Sequence, residues 1–272
     1  MPLRRINPGE ELYNWLVQRY QEKSGDNRAN SWMLAIARDF SMDELGDYLF
    51  KSTVYMVLRR LLASAAWYEE LYQDDTVVTS LFEKDYLLGV FGFGPEDRKY
   101  LRRIVFSAYD ASKKNIAPNT MKTIRDWASA TNQRCHISGC VIDYAEHDPN
   151  LAHRRFTLDH IWPRSLGGVS EEWNLRVACK SCNQIRQNTV DESDAHYEHF
   201  HVKVPDSSPS FLKELHWSFR IAALAAANHQ CQMCSGEVRV QDMASGPQFL
   251  PKTRQESLNM FNVVVGCERH RK

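Results

Sequence analysis

The chain has 272 residues, 43% hydrophobic and 25% charged, an ordinary balance for a soluble globular protein with room for one large domain or two to three small ones. Lysine plus arginine equals aspartate plus glutamate at 34 each, so no net charge draws the whole molecule to nucleic acid or to an anionic surface. No apolar run approaches the roughly 18 residues of a membrane span, and the stretch from Met1 to Glu11 lacks a signal-peptide core. The expectation is a cytoplasmic protein with no membrane partner.

The charge is unevenly placed. Lys+Arg against Asp+Glu is 10 against 16 over residues 1–97, 15 against 8 over 98–190, and 9 against 10 over 191–272. A phosphate backbone is attracted to the middle segment, although a solvated basic face gives the same surplus. The seven cysteines are an odd number, which argues against a disulfide framework.

In chain order, residues 9–22 carry Leu12, Trp15, Val17 and Tyr20 at helical spacing, and Ser24-Gly25-Asp26 ends that helix. A second helix is expected over 30–39. Ser41-Met42-Asp43-Glu44 reads as a capping box, which opens a helix to about Ala66 with a break near Lys51-Ser52. Residues 76–88 are apolar enough to be buried, until Gly89, Gly92 and Gly94 interrupt them. That glycine run has neither dinucleotide-loop spacing nor the Lys-Ser/Thr of a phosphate loop, and reads as a turn. Pro95 starts a basic amphipathic helix through Lys114. Residues 1–114 therefore look like an all-helical domain without a catalytic signature, with Trp15, Trp32 and Trp67 expected in its core. Pro118-Asn119 caps a helix over 119–131 that leads into Cys135.

From there the sequence is more specific. Cys135-x4-Cys140 and Cys179-x2-Cys182 offer four thiolates to one tetrahedral zinc, and a full cysteine set leaves no open position for a water. A redox C-x-x-C or chance pairing is the alternative. Residues 155–161 alternate polar and apolar, as a half-buried strand does, and include Asp159-His160. Alone, that dipeptide means little, because a structural histidine is the commoner case. Here it lies between the two cysteine pairs, followed by Pro163, Ser165, Gly167-Gly168 and Asn174, with Asn183 directly after the last cysteine.

From the helix before Cys135 to about Arg186, these residues resemble the HNH (ββα-metal) endonuclease family, in the variant whose last letter is Asn. The resemblance implies a treble-clef arrangement in which the second cysteine pair opens a helix. It implies that His160 is the general base, that Asp159 and Asn183 hold one divalent ion, Mg²⁺ or Mn²⁺, and that Asn174 orients the imidazole by hydrogen bonding. Many members carry His where this chain has Asn183, which leaves the metal preference open. Arg164, Arg176 and Arg186 are candidates for phosphate contact, with solvated surface as the alternative.

Residues 209–272 repeat the plan in worn form. A Pro and a helix lead to Cys231-x2-Cys234, and Cys267 with His270 stands for the second pair, so a zinc site of three cysteines and one histidine is expected. The interval from Gln248 to Asn262 equals that from His160 to Asn174, which lays Pro247-Gln248 over Asp159-His160 and Arg271 over Asn183. Catalysis is then lost from this copy. A chance C-x-x-C and C-x-x-H is the alternative. His196, His199 and His201 raise a metal site as the alternative, but an extended connecting segment is the expectation.

The expected fold class is α+β, mainly helical, in four parts: a helical domain over 1–114, a nuclease module with a four-cysteine zinc over 115–189, a linker over 190–208 and a degenerate zinc module over 209–272. The expected function is metal-dependent hydrolysis of phosphodiester bonds with nucleic acid as partner, DNA favoured, and a protein partner or homodimer through the helical domain. The alternatives are an RNA-cleaving enzyme of the same family and a silent zinc module that only binds nucleic acid or protein.

Overall fold

The computed structural model describes residues 5–24, 43–72, 74–145, 148–191, 194, 217–228, 230–236, 238, 247–252 and 263–270. The helix expected over 30–39, Trp32, Ser41-Met42, most of the 190–208 segment with its three histidines, Asn262 and Arg271 lie outside the described residues. The chain forms two compact units, one of residues 1–116 with 160–174 and the other of residues 117–159 with 175–272.

The first unit is mainly helical: α1 (Pro8–Ser24), α2 (Asp43–Leu71), α3 (Asp75–Leu81) and α4 (Pro95–Lys113). Along α2 the buried positions Val54, Leu58, Leu61, Ala65 and Tyr68 recur every three or four residues, which turns one stripe toward Leu12, Leu16, Leu101 and Val105 in the core. The helix is continuous through Lys51-Ser52 and runs past Ala66, because this stripe keeps burying side chains beyond both points. The Asp74 side chain caps α3 by accepting from the backbone N–H groups of Thr76 and Val77 at 2.8 and 3.3 Å. A π-helical turn, Phe82–Leu88, continues it, and its wider pitch lets Phe82 and Leu87, five residues apart, both be fully buried. Of the tryptophans expected in the core, Trp67 is 54% exposed, since it sits off the α2 stripe. Trp15 is half-buried, stacked on Tyr100 and edge-on to Phe93.

Segment 160–174 belongs to this helical unit. Its short 3-10 turn, Arg164–Leu166, packs on α4, and Trp162 meets the edge of Tyr13 from α1 with ring centroids 5.8 Å apart. Gly167 takes a φ of +81° and lies against Ala108, so any side chain there would collide with α4 and strain the turn. Gly9 of α1 donates its N–H to the Gly167 carbonyl at 3.2 Å.

The second unit begins with α5 (Pro118–Ala130), whose first helical residue is Pro118 and whose cap position is Ala117; Asn119 therefore lies inside the helix and does not cap it. A two-stranded sheet follows, β1 (Phe156–His160) with β2 (Leu175–Cys179), and β2 runs straight into α6 (Lys180–Arg186). Then come α7 (Trp217–Ala226) and the antiparallel pair β3 (Gln248–Pro251) and β4 (Val263–Gly266), in register with Gln248 opposite Gly266. Phe219, Leu224, Val238, Phe249, Val263 and Val265 form the core of this last part. Among the described residues no helix is long and apolar enough to cross a membrane.

A Cβ at Gly9 would overlap the Leu166 carbonyl and crowd the Trp162 indole nitrogen. Gly9→Ala is therefore expected to lower stability by about 1–3 kcal/mol, as overpacking against fixed backbone does. Urea unfolding of the full chain measures this.

Candidate functional site

Cys135 and Cys140 sit in a tight knuckle after α5, where Cys135 N–H donates to the Cys140 carbonyl at 3.0 Å and Gly139 N–H to the Cys135 carbonyl at 2.7 Å. Cys179 caps α6, its sulfur accepting from Cys182 N–H at 3.4 Å. The knuckle is tied to the sheet by His136 N–H, which donates to the Val177 carbonyl at 3.0 Å. All four cysteines are buried, and their sulfurs lie within 4.8 Å of one another. Contacts from the sulfurs of Cys140, Cys179 and Cys182 hold the Cys135 thiol far below the usual thiol range. Contacts with Cys135 and Cys140 push Cys179 and Cys182 above it. Four sulfurs competing in this way cannot all ionise without a cation among them, and a tetrahedral divalent ion removes the conflict.

Beside this cluster, Asp159 is buried, at 4% exposed. Its Oδ2 accepts from His136 Nε2 at 2.6 Å and from the Arg186 guanidinium. Both bonds fall on one oxygen, so the carboxylate is held in a fixed orientation while Oδ1 remains a donor for a cation. Asn183 lies on α6 and its Nδ2 donates to the Leu158 carbonyl at 3.0 Å and to Thr157 Oγ1 at 3.2 Å. With the amide nitrogen used twice, Oδ1 is the side-chain atom able to accept or ligate. Arg186, a candidate for phosphate contact, is instead committed to Asp159, whereas Arg164 and Arg176 are exposed. His136 was missed in the sequence because nothing in a residue following a zinc cysteine indicates that it will meet a carboxylate 23 positions away.

In the first unit, His160 closes β1 and the loop after it returns through Asn174, whose carbonyl accepts from Ile161 N–H at 2.8 Å. Asn174 is buried and its amide is saturated. Oδ1 accepts from Trp162 N–H at 2.9 Å and from Asn7 Nδ2 at 3.2 Å, while Nδ2 donates to the carbonyls of Trp162 at 3.1 Å and Val169 at 2.9 Å. An amide has two donors and two lone pairs, and all four are used. The expected hydrogen bond from Asn174 to the imidazole is therefore corrected: Asn174 holds the backbone of the loop. Asn7, itself 2% exposed, also accepts from Val169 N–H at 3.0 Å. The side chain that His160 Nε2 meets, at 3.0 Å, is Ser170. Neither Asn7 nor Ser170 carries any sequence signal for this role.

The second copy keeps the backbone of the first. Cys231 N–H donates to the Gly236 carbonyl, Ser235 N–H to Cys231 and Gln232 N–H to Val265, which repeats the bonds of Cys135, Gly139 and His136 one for one. Asn132 and Asn228 share a φ near +50°, as the turns at Gly139 and Ser235 share positive φ. Cys234 therefore stands at the place of Ser138, and Gly236 at that of Cys140: the ligand has moved two residues along the same knuckle. The ligand atoms of Cys231, Cys234, Cys267 and His270 again lie within 4.8 Å of one another. The Cys234 and Cys267 sulfurs are 3.8 Å apart, the edge of a tetrahedron with Zn–S bonds of about 2.3 Å. His270 Nε2 is buried without a hydrogen-bond partner, which is costly unless the ring serves a metal. Burial works to raise the Cys231 thiol, but backbone N–H donors at Cys267 and Met233 bring it down to about 6.

The strand register corrects one alignment. Lys180 N–H donates to the Arg155 carbonyl and Ile161 N–H to Asn174, which places Asp159 opposite Arg176. In the second copy Leu250 is opposite Val264, the counterpart of Arg176 when Cys267 is laid on Cys179. Leu250-Pro251, and not Pro247-Gln248, thus fall at the Asp159-His160 positions. Neither residue is a base or a metal ligand, so the copy is without catalytic groups there.

The buried pair gives a stability prediction. Arg186→Met leaves Asp159 without its guanidinium partner and is expected to cost about 3–5 kcal/mol by urea unfolding. Metal analysis of the purified chain is expected to give two zinc ions per molecule, falling to one in Cys182→Ala and one in Cys234→Ala.

No curated protein and no solved structure gives a match to the chain. A family model described as HNH endonuclease matches residues 148–196, the stretch that holds Asp159, His160, Asn174, Cys179, Cys182 and Asn183. Residues 148–196 are an HNH endonuclease family domain, accompanied by two cysteine-rich groups that can bind zinc.

Proposed function

We propose that the protein is a metal-dependent endonuclease that hydrolyses phosphodiester bonds, with DNA the first substrate. The observation that carries this reading is the fixed carboxylate of Asp159, held by His136 and Arg186, directly followed in the chain by a histidine whose ring is itself held. A purely binding zinc module has no use for either restraint.

His160 takes the proton of the attacking water, a task suited to a side chain whose ordinary pKa lies near neutrality. Asp159 and Asn183 would hold the divalent ion, and oxygen donors of this kind suit Mg²⁺ or Mn²⁺. When bound, that ion supplies stabilisation of the charge that develops on the leaving oxygen. Asn174 closes the loop behind His160. The two cysteine-rich groups hold zinc as structural ions, since neither set leaves a position for water.

The functional modules in this reading are residues 1–114 for targeting or partner binding, 115–189 for cleavage, and 209–272 as a scaffold or nucleic-acid contact, joined by 190–208. One catalytic copy per chain makes one cut per visit, so a double-strand break requires two chains or two visits. The basic surplus of the middle segment is where the phosphate backbone is drawn in.

The test is nicking of supercoiled plasmid with Mg²⁺ or Mn²⁺, with a labelled structured RNA in parallel. His160→Ala is expected to lower the rate about 10²- to 10⁴-fold, the usual contribution of a positioned base, with both zinc ions retained. Asp159→Ala is expected to abolish metal-stimulated cutting. Cutting of the RNA alone would redirect the substrate class, and no cutting of either would leave the silent binding module.

A further inference from the structure

The ring of His160 is engaged by a chain of two hydrogen bonds. Its Nε2 lies 3.0 Å from Ser170 Oγ, and Ser170 Oγ lies 2.8 Å from the backbone carbonyl of Lys114, just past the end of α4. A carbonyl oxygen only accepts, so the single hydroxyl proton of Ser170 goes to Lys114. The serine presents a lone pair to Nε2, and the imidazole must donate there. In the neutral ring only one nitrogen carries a proton, which assigns the lone pair to Nδ1.

We propose that Ser170 is a positioning residue for the base, fixing His160 as the Nε2–H tautomer and aiming its Nδ1 lone pair. The inference rests on the reading of His160 as general base. The Asn174 amide does not supply this contact, being saturated by Trp162, Val169 and Asn7. The loop backbone does not need the serine hydroxyl, because Val169 is tied to Asn7 and Asn174, and Ile161 to the Asn174 carbonyl. Removing the hydroxyl therefore takes the fixed acceptor away from Nε2 while leaving the loop closed. Without that acceptor the Nε2–H form loses the hydrogen bond that favours it, and the fraction of His160 in the competent tautomer falls.

The experiment compares the full-length wild type with Ser170→Ala and Ser170→Thr, with metal content and thermal unfolding as controls on folding. Long-range ¹H–¹⁵N correlation on ¹⁵N-histidine protein at alkaline pH reads the tautomer, and the His160 signals are those missing in His160→Ala. The wild type is expected as the Nε2–H form, Ser170→Ala as a mixture, and Ser170→Thr as the wild type. In the plasmid assay Ser170→Ala is expected to lose about two- to five-fold in kcat with KM little changed, in proportion to the fall in the competent tautomer. Ser170→Thr is expected to recover most of it.

An unchanged tautomer and an unchanged kcat in Ser170→Ala overturn the proposal. So does a loss of activity that follows a loss of metal or of thermal stability, or one that Thr fails to restore. If the wild type cuts no substrate, the nuclease reading falls, while the tautomer measurement still decides whether Ser170 fixes the ring.

Discussion

The buried amide of Asn174 is the constraint on which the loop after His160 depends. Its four hydrogen-bonding positions are used on Trp162, Val169 and Asn7, all inside the unit that holds the helices. A buried amide left half-satisfied costs about 1–3 kcal/mol for each orphaned group, so the loop has one conformation that satisfies it and many that do not. Gly167 and Gly168 follow from the same closure, the first because its φ is positive and it lies on Ala108, the second because a side chain would meet the carbonyls of Trp162 and Pro163. His160, the residue that meets its ring and the brace behind them thus come from one short segment and the residue just before α1.

Asp159 illustrates a second constraint. A buried carboxylate is destabilising unless it is paired, and here a guanidinium and an imidazole share one of its oxygens. The pairing offsets the cost of burial and fixes the orientation of the group in the same arrangement. Precision in a site of this kind comes from neighbours that touch neither substrate nor metal.

The two cysteine-rich groups show how a knuckle tolerates change. Its backbone bonds, its positive-φ residues and its link to the following strand are the same in both copies. What differs is the position that carries the sulfur: Cys140 in one, Cys234 at the place of Ser138 in the other. Several side chains of a tight turn project toward one centre, so a ligand can slip by two residues while the backbone stays put. The positions of Asp159 and His160 are not kept in the second copy, where Leu250-Pro251 occupy them.

The sequence by itself determined the four-cysteine set, the Asp159-His160 dipeptide at a strand end, the duplicated plan and the start of the helix at Pro95. These are local patterns, or ligand sets whose chemistry is written in residue type and spacing. The uninterrupted length of α2 and the exposure of Trp67 were not legible, because both follow from which stripe of the helix meets its neighbours. The bond of His136 to Asp159, the burial of Arg186, the saturation of Asn174 by Asn7 and the meeting of His160 with Ser170 were decided only by the tertiary structure. Each joins groups far apart in sequence or on opposite sides of a turn. Hydrogen-bond capacity is a property of one residue, but how it is used depends on what the fold brings within about 3 Å of it.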